Sequence, residues 1–232
     1  MLTTIEKQFS ILFFIIVLIE LISAQADTLQ FVHYVAKPAI VTSLIVLFIK
    51  TSNQISKPIK SLTIAALLFS LFGDILLMLV NDWAHFFTFG LISFLLAHVM
   101  YILVFLKHRN KTRQPLGFLV VLLVYASFLF YTLYSGLGEM LIPVTIYMLV
   151  ILTMATSAYL RKGEVNKLSY NFIFAGAILF MISDSLLAVN KFQMPLPLAN
   201  ISIMLTYALA QFLIVLGILK LNCNNKQKIA TN

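Results

Sequence analysis

LFSLFGDILLMLV (residues 68–80) and AILFMISDSLLAV (residues 177–189) are two apolar stretches that each contain one acidic residue, Asp74 or Asp184. Both stretches contain the same short motif, which is a small residue, Asp, any residue and then Leu-Leu. Apolar stretches of this kind are typical of helices that cross a bilayer. An ionised carboxylate in hydrocarbon costs several kcal/mol or more, so each aspartate is a candidate functional residue.

The composition of the whole chain indicates a membrane protein. Its mean hydropathy is +1.00, with 61% apolar and 10% charged residues, which excludes a water-soluble monomer. Crossing ~30 Å of hydrocarbon takes about 20 residues of helix, and eight segments are long enough. We therefore predict an all-α integral membrane protein with eight transmembrane helices in one domain, residues 1–232. The predicted spans are 9–24, 36–50, 62–81, 86–106, 116–134, 139–160, 168–189 and 197–221.

The positions of the basic residues predict the orientation, because Lys and Arg resist translocation. All of the 16 Lys and Arg residues except Lys37 and Lys191 lie at the termini or in the loops after spans 2, 4 and 6. Both termini are therefore predicted to be cytoplasmic in a cell membrane, which we interpret as a bacterial plasma membrane. The net charge of +8 reflects this topology and attraction to anionic lipids, and no soluble basic surface exists for nucleic acid.

The first span has a second interpretation. Lys7, the apolar run at 11–19 and Ala24-Gln25-Ala26 resemble a cleavable signal peptide. Glu20 and the apolar residues after it extend the segment beyond a usual signal-peptide core, which favours retention of the span.

Polar residues recur at helical spacing on the predicted spans. Spans 3 and 7 run parallel and four spans apart, which suggests a weak parallel 4+4 repeat and places both aspartates in the outer half of the bilayer. In lipid these polar faces must point into the bundle. The faces are Ser70, Asp74 and Asn81 on span 3, His98 and Tyr101 on span 4, Tyr170, Ala177, Asp184 and Lys191 on span 7, Asn200, Tyr207 and Gln211 on span 8, and Lys37, which opens span 2 before Pro38.

These residues also have purely structural alternatives. Interhelical hydrogen bonds, anchoring at the membrane interface and core packing are the main ones. Interhelical hydrogen bonds would explain Ser70, Asn200 and Gln211, and interface anchoring would explain Lys37 and Lys191. Core packing would explain His98 and the small residues Gly73, Gly90, Gly176 and Ala177. For the two aspartates the structural alternative is an ion pair with Lys37.

The sequence lacks the motifs of several common kinds of active site. The four histidines have no metal-ligand spacing, and the single cysteine, Cys223, lies in the C-terminal tail, so we predict no metal site, no cofactor and no intramolecular disulfide. No G-x-S-x-G elbow and no glycine-rich phosphate loop is present. The functions that remain are carboxylate acid–base chemistry within the membrane and the movement of ions.

Six blocks of sequence carry a resemblance to a known family. They are KPAI (37–40), SLFGDILLM (70–78), FTFGLISFLLAHVMY (87–101), IPVTIYMLV (142–150), GAILFMISDSLLAV (176–189) and LTYALAQFLI (205–214). In this order the blocks resemble the YhhN family of multipass membrane proteins, which includes the lysoplasmalogenases. The resemblance covers nearly the whole chain and implies the eight-helix fold with its first span retained.

The resemblance also implies an activity and a site. Lysoplasmalogenases hydrolyse the vinyl ether of lysoplasmalogens, so the implied substrate is a lysophospholipid held among membrane lipids. Vinyl ether hydrolysis begins with protonation of carbon, and it suits one protonated carboxyl and one carboxylate, as in glycosidases. Asp74 and Asp184 are the implied catalytic residues. The implied substrate-binding residues are Lys37, His98, Tyr101, Tyr147, Tyr207 and Gln211.

Two other functional classes remain as alternatives. Intramembrane aspartyl proteases also pair two buried aspartates, but Leu71 replaces the first glycine of their Gly-x-Gly-Asp motif and Ser183 precedes Asp184. A proton-coupled transporter fits the buried aspartates and the 4+4 repeat better, although the spans lack the Gly- and Pro-interrupted helices that mark many transport sites. The sequence leaves open the head group, the chain length and any oligomeric partner.

Overall fold

The computed structural model describes residues 3–221 of the chain, so Cys223 and the rest of the predicted tail lie outside the described residues. Within this range the chain forms eight α-helices, and each covers most of one predicted span. The helices are α1 (Thr4–Ser23), α2 (Gln30–Thr51), α3 (Lys57–Met78), α4 (His85–Leu106), α5 (Leu116–Leu137), α6 (Leu141–Tyr159), α7 (Lys167–Phe192) and α8 (Ala199–Leu219). Single 3₁₀ turns at Asp27–Leu29 and Gly138–Met140 precede α2 and α6.

The start of α2 differs from the prediction. The helix begins at Gln30, so Lys37 does not open it and Pro38 lies inside it. Pro38 has no N–H to donate to the carbonyl of Tyr34. A proline inside an apolar helix is tolerated because neighbouring groups can satisfy the freed carbonyl. The prediction that Lys37 opens this span just before Pro38 is therefore wrong.

The end of α3 also differs from the prediction. The helix ends at Met78, where the N–H of Leu79 donates to the carbonyl of Leu76 at 3.1 Å and closes a tighter final turn. Asn81 consequently lies in the loop after the helix and not on the helix face that contains Asp74. In contrast, α7 continues to Phe192, so Lys191 shares its helix with Asp184.

Small residues allow two pairs of helices to pack closely. The most extensive contacts join α3 to α4 and α7 to α8, two pairs that are four helices apart, as the weak repeat would require. A Cβ added at Gly176 would lie 2.9 Å from the carbonyl oxygen of Ala210, and one at Gly73 would lie 2.6 Å from the ring of Phe94. Gly90 faces Leu77 at a similarly short distance. The prediction that these glycines let helices approach is confirmed.

The bundle has an apolar exterior, and a cluster of polar side chains lies within its largely apolar core. Side chains such as Phe128 on α5 are exposed, while Ser70, Asp74, His98 and Gln211 are buried. Within the described residues, six stretches are long and apolar enough to cross a membrane. They contain α2 to α8, because α5 and α6 form one continuous stretch. The first helix, which carries three charged residues, is not among them.

The first helix nevertheless packs along the bundle. At one end the ammonium of Lys220 donates to both carboxylate oxygens of Glu6, at 2.5 and 2.7 Å, and both side chains are buried. In the middle the rings of Phe13 and Phe212 stack with centroids 4.9 Å apart. These contacts hold α1 against α8 at one end and in the middle.

Candidate active site

A cavity of about 440 Å³ opens at the end of the bundle where α1, α3 and α7 end and α2 and α8 begin. Asp74 and Asp184 both line this cavity, which places the two motifs from the sequence in one site. The other polar residues in its wall are Glu20, His33, Lys37, Asn81, Ser183, Asn190, Lys191, Asn200 and Tyr207.

Asp74 is held by a chain of hydrogen bonds that leads back into the core. The carboxyl is 2% exposed, and its Oδ2 accepts from the hydroxyl of Tyr207 at 2.7 Å. Behind Tyr207, the hydroxyl of Tyr101 donates to Oε1 of Gln211 at 2.6 Å, and Nε2 of Gln211 donates to Ser70 Oγ at 2.8 Å. Nε2 of Gln211 also reaches the Tyr207 hydroxyl at 3.4 Å. The chain fixes the orientation of the tyrosine that contacts Asp74.

Asp184 has a similar environment on the other side of the cavity. Its Oδ2 accepts from the hydroxyl of Tyr147 at 2.6 Å, so each aspartate accepts a hydrogen bond from one phenol. Nε2 of His98 lies 3.6 Å from the same oxygen. His98 is fully buried, and neither ring nitrogen has a hydrogen-bond partner within the described part of the chain. His98 is thus not a hydrogen-bonded core imidazole, and it lies where a small shift would bring it onto Asp184.

Lys37 lines the cavity and is half-buried. It interacts electrostatically with Asp74 and with Glu20. Across residues 3–221, however, the ion pairs do not include one between Lys37 and either aspartate. The contact on which the structural alternative for the aspartates depends is therefore not formed, and the ammonium of Lys37 remains available to a ligand.

The remaining predicted residues occupy different positions around the cavity. Tyr207 lines it, and Tyr147 lines a smaller pocket next to it. His98, Tyr101 and Gln211 are fully buried behind the two aspartates and are not among the lining residues of either space. Their position suits orientation of the aspartates better than direct contact with a substrate.

The smaller pocket is apolar and meets the polar cavity at Asp184. Its volume is about 40 Å³, so it must widen to accept an alkyl chain. The residues that line it, besides Asp184 and Tyr147, are Leu77, Phe87, Leu91, Phe94, Val144, Leu187, Ala188 and Phe192. A molecule with a polar head and an apolar chain could therefore place the junction between them beside Asp184.

Glu20 and His33 are two site residues that the sequence does not predict. Glu20 is buried in the cavity wall, and Nδ1 of His33 lies 3.0 Å from its carboxylate. Glu20 is an acidic residue in an apolar helix, the same signal that identified the two aspartates. In the sequence, however, the position of Glu20 bears first on the length of the first span.

The fold and the site together define a class of protein: a multipass helical membrane protein with two buried carboxyls where a polar cavity meets an apolar pocket. Residues 32–218 match the model of the YhhN family, and the chain belongs to this family. The resemblance that the six sequence blocks indicated is confirmed.

Curated relatives carry one enzyme name. Human lysoplasmalogenase TMEM86B is 32% identical over 155 residues, which are 67% of this chain and 62% of the relative. The lysoplasmalogenase of Mycobacterium tuberculosis is 30% identical over 193 residues, covering 80% of this chain and 71% of the relative. The chain thus spans about three fifths of the length of the human TMEM86B relative that it matches. No solved structure matches the chain.

Proposed function

We propose that this protein is an intramembrane hydrolase that cleaves the vinyl ether bond of lysoplasmalogens. The products would be a fatty aldehyde and glycerophosphoethanolamine or glycerophosphocholine. The observation that carries the proposal is the pair of buried carboxyls, Asp74 and Asp184, in one cavity that adjoins an apolar pocket. The relatives named lysoplasmalogenase support the same reaction.

The two spaces suit the two parts of such a substrate. The head group lies in the polar cavity, where the ammonium of Lys37 attracts the phosphate. The alkenyl chain enters the apolar pocket, which widens between α3, α4, α6 and α7 to receive it. The vinyl ether joins these two parts, so it lies at the boundary that Asp184 occupies.

The reaction needs one proton donor and one proton acceptor. A protonated carboxyl gives its proton to the carbon of the double bond that is farther from oxygen, and an oxocarbenium ion forms. Water adds to this cation while the other carboxylate takes its proton, as in glycosidases that use two carboxyls. The resulting hemiacetal collapses to the aldehyde, and its hydroxyl proton passes to the glycerol oxygen as the carbon–oxygen bond breaks. The net change is the addition of one water.

The hydrogen bonds around the aspartates would position both groups for these steps. Tyr207 and Tyr147 each hold one carboxyl oxygen and leave the other free to face the substrate. His98, Tyr101 and Gln211 are positioning residues in this scheme, because they act through the aspartates and tyrosines. Fixed rotamers are valuable here, since misplacement of a catalytic group by about 1 Å can cost 10²-fold in rate.

The orientation in the membrane is part of the proposal. All eight helices span the bilayer, the first one is retained, both termini are cytoplasmic and the cavity opens to the outer side. The distribution of the basic residues supports this orientation. Retention of α1 is supported by its buried Glu6–Lys220 ion pair, because loss of Glu6 would leave a buried, unpaired ammonium.

The test is aldehyde release by the purified protein in detergent, measured with lysoplasmalogens of both head groups. The matched control is the saturated alkyl ether lysolipid, which has no double bond to protonate and should release no aldehyde. Folded protein that gives no aldehyde from either lysoplasmalogen would contradict the proposal. Accumulation of a solute in proteoliposomes under a proton gradient would instead favour the transporter.

A further inference from the structure

Glu20 is a buried acidic residue in the cavity that the hydrolysis mechanism does not use. It lies on α1, outside residues 32–218 that match the family, and its side chain is 2% exposed. Nδ1 of His33 lies 3.0 and 3.1 Å from its two oxygens. A buried carboxylate requires hydrogen-bond donors, and the His33 side chain, 24% exposed, supplies one here.

Two opposite charges of the cavity wall lie on the first two helices. Glu20 on α1 and Lys37 on α2 line the same cavity, and they interact electrostatically. A lysoplasmalogen head group also carries two opposite charges, a phosphate and an ammonium, joined by a two-carbon link. With the phosphate at Lys37, the ammonium is expected beside an acidic residue of the wall, and Glu20 is the one that the hydrolysis mechanism leaves unused.

We propose that Glu20 selects the head group by accepting hydrogen bonds from a primary ammonium, which takes the place of the His33 imidazole. The inference rests on the proposed function, since it assigns the polar cavity to a phospholipid head group. A primary ammonium carries three N–H donors, and a carboxylate is an acceptor only. Hydrogen bonds between ionised partners are about twice as strong as neutral ones, so the contact discriminates against head groups that lack an ammonium.

The experiment measures equilibrium binding of two lysolipids to the purified protein in detergent by calorimetry. The probes are lysophosphatidylethanolamine and lysophosphatidylglycerol, which share the phosphate and the acyl chain. The first head group ends in a primary ammonium, and the second ends in an uncharged glycerol. We expect the unmodified protein to bind the ethanolamine lipid about 10-fold more tightly, the effect of one hydrogen bond to a charged group. Glu20→Gln should reduce this ratio to about 2-fold or less by weakening only the ethanolamine lipid.

Two further variants complete the design. Asp82→Asn removes an exposed carboxylate from the loop after α3, outside the cavity wall, and should leave the ratio unchanged. His33→Ala removes the group that competes for Glu20, so it should raise the ratio, and this variant decides the matter if Glu20→Gln does not fold. An equal affinity of the unmodified protein for both lipids, or an unchanged ratio in folded Glu20→Gln, would overturn the inference.

The outcome is separable from that of the proposed function. Neither probe contains a vinyl ether, so their binding does not depend on hydrolysis. Selective binding without aldehyde release from lysoplasmalogens would contradict the hydrolase and leave the role of Glu20 standing. Aldehyde release with an unchanged ratio in Glu20→Gln would support the hydrolase and overturn the role of Glu20.

Discussion

Replacement of Tyr147 by Phe isolates one contact of Asp184. The change removes the hydroxyl that donates to Oδ2 at 2.6 Å and leaves the aromatic ring in place. A hydrogen bond to a charged group contributes ~1.5–3 kcal/mol. At 1.36 kcal/mol per factor of ten, we expect turnover to fall roughly 10- to 150-fold, with little change in KM because the hydroxyl faces the aspartate.

The assay is aldehyde release at saturating lysoplasmalogen, with the melting temperature as the measure of folding. Tyr125→Phe is the matched control, because the Tyr125 hydroxyl donates at the same 2.6 Å to Oγ of Ser185, the residue after Asp184. The control should keep turnover within about 2-fold of the unmodified protein, as expected for a neutral hydrogen bond away from the reacting groups. If both variants lose turnover equally, or neither loses it, the assignment of Tyr147 to the positioning of Asp184 is refuted.

Three further predictions concern topology, packing and binding. In a background without other cysteines, Lys111→Cys should be shielded from an impermeant thiol reagent added to intact cells and Asp82→Cys should react, and labelling of the first would overturn the orientation. Gly176→Ala should lower the melting temperature, because overpacking against α8 destabilises the fold by ~1–3 kcal/mol. Gly117→Ala, with nothing within 4 Å of the new Cβ, should leave the melting temperature unchanged. Equal effects of the two changes would contradict the close helix contact. Lys37→Met should raise KM for lysoplasmalogens more than it lowers turnover, and a fall in turnover alone would remove the phosphate-binding role.

The positions of the helices could be predicted from the sequence because the hydrophobic signal in lipid is strong and the segments are long. Hydropathy sets boundaries poorly where apolar residues flank a helix breaker. The stretch before Pro38 is largely apolar, and it belongs to the helix, which begins at Gln30. The loop that contains Asn81 is short, and the residues before Asn81 are apolar, so the composition does not mark the end of α3 clearly.

The two aspartates could be identified from the sequence because an acidic residue in an apolar helix has few explanations. Their partners depend on helix packing, which a single sequence does not specify. Tyr207 reaches Asp74 from α8 and Tyr147 reaches Asp184 from α6, across 133 and 37 residues of chain. Glu20 is not predicted for a different reason: it lies near the end of the first span, and its partner His33 is on the next helix.

The most direct test of the central claim is the turnover of Asp74→Asn and Asp184→Asn at saturating lysoplasmalogen. Each change keeps the shape and hydrogen-bonding capacity of the side chain and removes its ability to donate or accept a proton. We predict that each variant melts near the temperature of the unmodified protein and loses at least ~10²-fold in aldehyde release, the lower range for a positioned general acid or base. Unmodified turnover in either folded variant would remove that aspartate from the mechanism and contradict catalysis by the pair.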